Sequence, residues 1–213
     1  MRIGHTTMPT KRFVVCYECE FEFQVVGKAG STLCPKCRTS LEMIDYTIDS
    51  EWTDTLKTAG TITLAPEGVL KSGELVGQTV ILKGRVEEGT LRALGRLEVH
   101  PDAKFPESLV EAVDLTIVEG ATVTMRRKGT YRNVEVAGTL KAKIVAEGEV
   151  IIRAGGFIQG SVTAQRLTVE EGGGLKGQMK IEPPEREGAK NKVLKSVAQP
   201  VPADEDLILK KTA

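Results

Sequence analysis

From residue 62 onward an apolar-x-apolar pair returns at a nearly fixed interval: Ile62/Leu64, Val80/Leu82, Leu97/Val99, Leu115/Ile117, Val134/Val136, Val150/Ile152 and Leu167/Val169. The first members stand at 62, 80, 97, 115, 134, 150 and 167, so the period wanders only slightly. Alternate side chains of an extended chain share a face, so each pair marks a short strand with two inward residues and one outward. About five residues after each first member, six of the seven repeats have glycine: Gly68, Gly84, Gly120, Gly138, Gly155 and Gly172. The seventh has Asp102, a residue type that tolerates left-handed dihedrals. Eight residues on come Leu70, Glu88, Phe105, Val123, Ala142, Ile158 and Leu175, all apolar except Glu88.

This layout predicts an all-β fold, a parallel β-helix of about seven coils, each one period of the pattern long. One coil cannot bury its inner face alone. Stacked coils pair each strand with its equivalents above and below and align the inward aliphatics in ladders. At ~4.8 Å per rung the rod would be roughly 30–35 Å long. An antiparallel sandwich would also show short strands and turns, but no fixed register from repeat to repeat. The left-handed hexapeptide helix is a nearer rival. It repeats every six residues with one inward aliphatic per side, whereas here the inward residues come in pairs. The repeat is interrupted at Glu88, at the corner His100-Pro101-Asp102 and across 106–112.

The segment ahead of Glu51 follows a different logic. Cys16-Tyr-Glu-Cys19 and Cys34-Pro-Lys-Cys37 form two CxxC knuckles separated by the stretch 20–33, and β-type stretches follow them at 21–26 and 39–44. Each knuckle turns two sulfurs toward one point. Two of them supply four thiolates at tetrahedral geometry, the arrangement of a structural zinc ribbon with Cys16, Cys19, Cys34 and Cys37 as ligands and one zinc per chain. So small a module buries little apolar surface, so the metal would supply most of its folding energy. Disulfides and a redox CxxC are the competing readings. The first lacks an export signal, since Met1–Thr10 has no apolar core. The second lacks a βαβ setting.

Composition divides the chain further. Six of the nine aromatics lie at or before Trp52, and 18 of the 22 glycines lie between Gly60 and Gly177. Four prolines mark the segment from Pro183 to Ala213. The expected organisation is a flexible N-terminus (1–12), a zinc ribbon (13–50), a linker (51–57), the β-helix (58–182) and a disordered tail (183–213). The charges balance, with 29 Lys+Arg against 29 Asp+Glu, which argues against coating nucleic acid or an anionic membrane. Membrane contact is expected to be at most peripheral. No apolar run reaches the ~18 residues of a membrane span, and a cytoplasmic location is expected, with association at the inner face of the cell membrane left open.

Three stretches carry a family resemblance: Leu-Thr-Ile-Val-Glu-Gly-Ala-Thr-Val (115–123), Val-Ile-Ile-Arg-Ala-Gly-Gly-Phe-Ile-Gln-Gly-Ser-Val-Thr-Ala (150–164) and Leu-Thr-Val-Glu-Glu-Gly-Gly-Gly-Leu-Lys-Gly (167–177). They resemble bactofilin repeats. The resemblance covers roughly residues 58–182. It implies a right-handed triangular β-helix that polymerises end to end, without nucleotide, into non-polar filaments in the bacterial cytoplasm. The implied function is a non-enzymatic cytoskeletal scaffold whose first partner is itself, with the zinc ribbon as a docking head. Cell-envelope or morphogenesis proteins are partners left open for the ribbon or the tail segment 204–211.

Assembly would run through the coil ends, where strand edges and core are bare. At the front these are Ile62, Leu64 and Leu70, and at the back Leu167, Val169, Leu175 and Met179. Two alternatives remain. One is a hexapeptide-type acyltransferase with His100 as base, His5 being the only other histidine. The other is a nucleic-acid adaptor using the ribbon. Gly172-Gly173-Gly174 falls at a β corner and opens no helix, so no nucleotide cradle is read there. Arg126-Arg127-Lys128 reads as a solvated face.

Overall fold

A computed structural model of the chain describes residues 11–27 and 30–182. Of the expected flexible N-terminus 1–12, residues 1–10 with His5 lie outside the described residues, as does the tail segment 183–213, while Lys11 and Arg12 are part of a paired strand. The inward pairs form one parallel ladder in the predicted register. Ile62 pairs with Val80, Val80 with Leu97, Leu97 with Leu115, Leu115 with Val134, Val134 with Val150 and Val150 with Leu167. Parallel pairing with a full coil between partners makes the fold a β-solenoid. The second member of each pair from Leu64 to Ile152 is almost fully buried.

The ladder begins one coil earlier than expected. Tyr46–Ile48 pairs in parallel with the segment 62–64, and Glu51–Trp52 pairs with Val69–Leu70. Residues 51–57 are therefore no linker. They complete the first of eight coils. Tyr46/Ile48 precedes Ile62/Leu64 by one coil length, but Tyr46 breaks the aliphatic rule. Ile62, Leu64 and Leu70 consequently lie inside the solenoid, fully buried, and are not the front end.

Each coil has three faces. Face 1 holds the ladder just described. Face 2 runs through 51–52, 69–70 and 85–86, and then through 122–124, 139–141, 157–159 and 174–176. Face 3 runs through 56–57, 75–77, 91–93 and 110–112, and then through 128–131, 143–146, 161–164 and 178–181. Glu88, expected at an inward position, is exposed, and Val86, the strand partner of Leu70, supplies the buried face-2 side chain of that coil.

The corner glycines divide into two kinds. Asp102, Gly120, Gly155 and Gly172 share a positive φ (68°, 79°, 75° and 82°), the left-handed turn that glycine adopts without strain. Gly84 and Gly138 are required by close approach. A Cβ would lie 2.2 Å from the Gly68 carbonyl oxygen and 2.3 Å from that of Ala121, respectively.

Ahead of the solenoid, β1 (Lys11–Val15) pairs antiparallel with β2 (Glu22–Val26), and β3 (Ser31–Leu33) with β4 (Ser40–Glu42). A CxxC knuckle joins the strands of each hairpin. Val14, Val25, Leu41 and Met43 form a small core with Cys16 and Cys34, closed on the solenoid side by Ala59.

Candidate functional site

Two places in the molecule bear on the expected function, the cysteine cluster and the last coil. In the first knuckle, the Cys16 amide donates to the Phe21 carbonyl and the Glu20 amide to the Cys16 carbonyl. In the second, the Cys34 amide donates to the Thr39 carbonyl and the Arg38 amide to the Cys34 carbonyl. The residues after the second cysteine of each knuckle, Glu20 and Arg38, both take a positive φ, 56° and 61°. The two hairpins therefore present their sulfurs in the same way.

The sulfurs of Cys16, Cys19, Cys34 and Cys37 all lie within 4.8 Å of one another. Cys16 and Cys37 are 3.6 Å apart, as are Cys19 and Cys34. A tetrahedron with metal–sulfur bonds of ~2.3 Å has edges of ~3.8 Å, so the cluster has the dimensions of a four-thiolate site. A disulfide needs ~2.05 Å, and all four cysteines are free. Cys37 Sγ sits 3.2 Å from Thr39 Oγ1. Thr39, through its side chain and backbone, draws the Cys37 thiol down to about 6, which favours a thiolate there at neutral pH. These residues fit a metal ion by donor chemistry and by size.

Coil 8 ends the solenoid. Among the described residues its face-1 strand pairs only backwards, Leu167 with Val150 and Val169 with Ile152. The same holds for Leu175 and Met179, which pair with Ile158 and Val162. Val150, Ile152, Ile158 and Val162 are completely buried, whereas Val169 and Met179 are 47% and 56% exposed. Leu167 and Leu175 are half-buried, and Ile181 is exposed beside them. The expected back-end residues thus lie together in one apolar cross-section, with no further strand paired to it among the described residues. On the same strand Lys176 and Lys180 are exposed.

His100 stands on the corner that follows the strand pair Leu97/Val99, half-buried, with Glu98 Oε2 3.9 Å from its Nε2. Burial and the charge of Lys83 lower its pKa, against the pull of Glu98. Arg126 and Arg127 are exposed, and their backbone amides donate to the carboxylate of Glu107 at 2.6 and 2.8 Å. No helix among the described residues is long and apolar enough to cross a membrane.

The sequence reading missed how the ribbon meets the solenoid. The Val15 amide donates to Gln78 Oε1 at 2.8 Å. Lys57 pairs with Glu18 at 3.0 Å, Arg92 with Glu20, and Arg132 with Glu22 at 4.0 Å. Glu18, Glu20 and Glu22 alternate along the chain, a spacing visible in the sequence. Nothing there says which cations they meet.

Residues 109–180 match the family model described as "Bactofilin: Polymer-forming cytoskeletal". The match spans the second half of the solenoid and begins within the irregular segment 106–112. Neither a curated protein nor a solved structure matches the chain.

Proposed function

We propose that this chain, which carries a bactofilin domain in its solenoid, is a cytoskeletal scaffold that assembles end to end through coil 8 and carries a zinc ribbon as a docking head. The bactofilin match and the β-solenoid together support a non-enzymatic, self-associating role. The observation that carries the assembly step is the bare apolar layer of Leu167, Val169, Leu175 and Met179. Among the described residues it offers unpaired strand edges and an aliphatic core of the same cross-section as the coils behind it. Apposing two such layers buries apolar surface worth roughly 25 cal/mol per Å² and satisfies edge amides and carbonyls in one step.

A back-to-back contact is isologous, so each residue of the layer meets the same layer on its partner and the contact joins chains in pairs; growth into a polymer takes a second contact, between coil 1 ends. No nucleotide takes part in this step, because the driving force is burial already stored in the exposed end. The cation at the four cysteines is zinc, one per chain, in a structural role. Four thiolates fill a tetrahedral shell and leave no position for substrate. The chain works in the cytoplasm, where thiols stay reduced.

Leu175→Lys tests the assembly step. It places like charges on both sides of a symmetric contact and removes apolar burial. Sedimentation velocity should show wild-type polymers replaced by monomers or small dimers, with the circular dichroism kept. Unchanged polymers in this variant would refute assembly through coil 8.

A further inference from the structure

The eight coils are not equally well joined. Between coils 4 and 5 the face-1 ladder is continuous, from Arg96↔Asp114 to Val99↔Ile117. On the other two faces it is not. Among the described residues, no strand pairing joins face 2 of coil 4, which ends in an isolated bridge at Lys104, to 122–124. None joins Val110–Ala112 to 128–131 on face 3 either.

Packing follows the same division. On face 3 the inward residues of coils 3, 6 and 7 (Leu91, Ala93, Ile144, Ala146, Val162, Ala164) are buried. Their counterparts in coils 4 and 5, Val110, Ala112, Gly129 and Tyr131, are only half-buried. Cavities of about 320 and 460 Å³ open there, and Tyr131 lines both. Pro106 and the short helix Glu107–Leu109 occupy the place of a strand, and Glu107 clips the Arg126 and Arg127 amides across the gap. Coils 4 and 5 meet at a joint with one strand ladder as its spine.

The ribbon spans that joint. Its three acids run in the same order as the coils they meet: Glu18 to Lys57 of coil 1, Glu20 to Arg92 of coil 3, Glu22 to Arg132 at the end of coil 5. Arg132 also pairs with Asp114 at 3.5 Å, and Arg92 with Glu111 at 3.7 Å. Glu20 and Glu22 therefore hold opposite sides of the joint, and both line the larger cavity beside it.

Glu20 points the same way by its backbone. It takes a left-handed φ of 56° at a knuckle position where glycine would cost nothing. The left-handed turn belongs to the knuckle, since Arg38 shares it, and at Glu20 it carries a side chain that meets Arg92. At the twin position Arg38 is exposed and reaches no solenoid coil in any ion pair found among the described residues.

We infer that the ribbon is a metal-set brace across the coil 4–coil 5 joint. With the four cysteines holding their ion, the first knuckle presents Glu20 and Glu22 as a rigid pair that locks the front coils to the back ones. Without it the knuckle loosens, the acids leave Arg92 and Arg132, and the joint opens about its face-1 spine. The metal dependence rests on the zinc reading given above, while the brace itself does not.

Hydrogen exchange of the full chain, read by mass spectrometry on peptides covering 104–112 and 122–131, tests both parts. Four samples are needed: zinc-loaded wild type, wild type stripped by a chelator, zinc-loaded Glu20→Arg, and zinc-loaded Glu20→Arg/Arg92→Glu. Zinc content is measured on each. Stripping and Glu20→Arg should each speed exchange at the joint roughly five- to tenfold, leave 139–164 unchanged, and the double variant should recover most of the protection. Joint exchange unaffected by Glu20→Arg overturns the brace. A chain that holds no zinc overturns the metal dependence alone, and the two variants then decide the brace.

Discussion

Ile117 is fully buried on the one strand ladder that crosses the joint, pairing with Val99 of coil 4 and Val136 of coil 6. Replacing it by alanine removes buried carbon from a layer whose neighbours are fixed by strand pairing on both sides, so the cavity cannot collapse. Large-to-small changes of this kind cost about 2–5 kcal/mol, and a site held so rigidly belongs near the middle of that range or above, at about 3–4 kcal/mol. For a solenoid of this size a urea slope of about 2 kcal/mol per molar is expected, so the midpoint should fall by roughly 1.5–2 M. Thr116, one residue away, points outward, and Thr116→Ala should change stability by no more than about 0.5 kcal/mol. The assay is urea unfolding followed by far-UV circular dichroism, in a Leu175→Lys background so that assembly adds nothing to the apparent stability. Equal midpoint shifts for the two variants would refute the alternation on which the whole ladder rests.

Cys34→Ser should drop zinc content from about one per chain to near zero by plasma emission, while the β signal of the solenoid persists; full retention would refute the four-cysteine site. Gly156→Ala should destabilise by more than about 2 kcal/mol, because its Cβ would lie 2.1 Å from the Val136 carbonyl oxygen. Gly155→Ala, with nothing within 4 Å but a φ of +75°, should cost only about 1 kcal/mol, and thermal melts of the two would show the difference. The Arg127 and Arg126 amides hold the Glu107 carboxyl below its ordinary range. Its contribution is complete above the unfolded-state pKa and is lost as pH falls through the lowered folded value. Melting temperature should therefore drop on acidification below about pH 4.5, with a shallower drop in Glu107→Gln.

The ladder was readable in the sequence because an inward i, i+2 pair returning every coil is a local signal that parallel stacking repeats. The left-handed turn at Asp102 was readable for the same reason, since its repeat position is otherwise held by glycine. The cysteine cluster was readable because the spacing of two knuckles fixes where four sulfurs meet. Coil 1 was hidden by a substitution within the pattern, Tyr46 and Trp52 standing where aliphatics stand elsewhere. Glu88 misled because counting a fixed eight residues from Val80 ignores a corner of variable length; the corner here is two residues shorter, and Val86 is the residue that turns inward. The docked ribbon could not be read at all. With 29 acidic and 29 basic side chains in the chain, sequence does not say that Glu20 meets Arg92 or that Glu22 meets Arg132.

The central claim is that stacked β-coils with a bare apolar end assemble on their own. Negative-stain electron microscopy of the purified full chain, reduced and zinc-loaded, at tens of micromolar and without any nucleotide, tests it most directly. The account predicts filaments in the wild type and none in Leu175→Lys. A wild-type chain that stays monomeric under these conditions would contradict it.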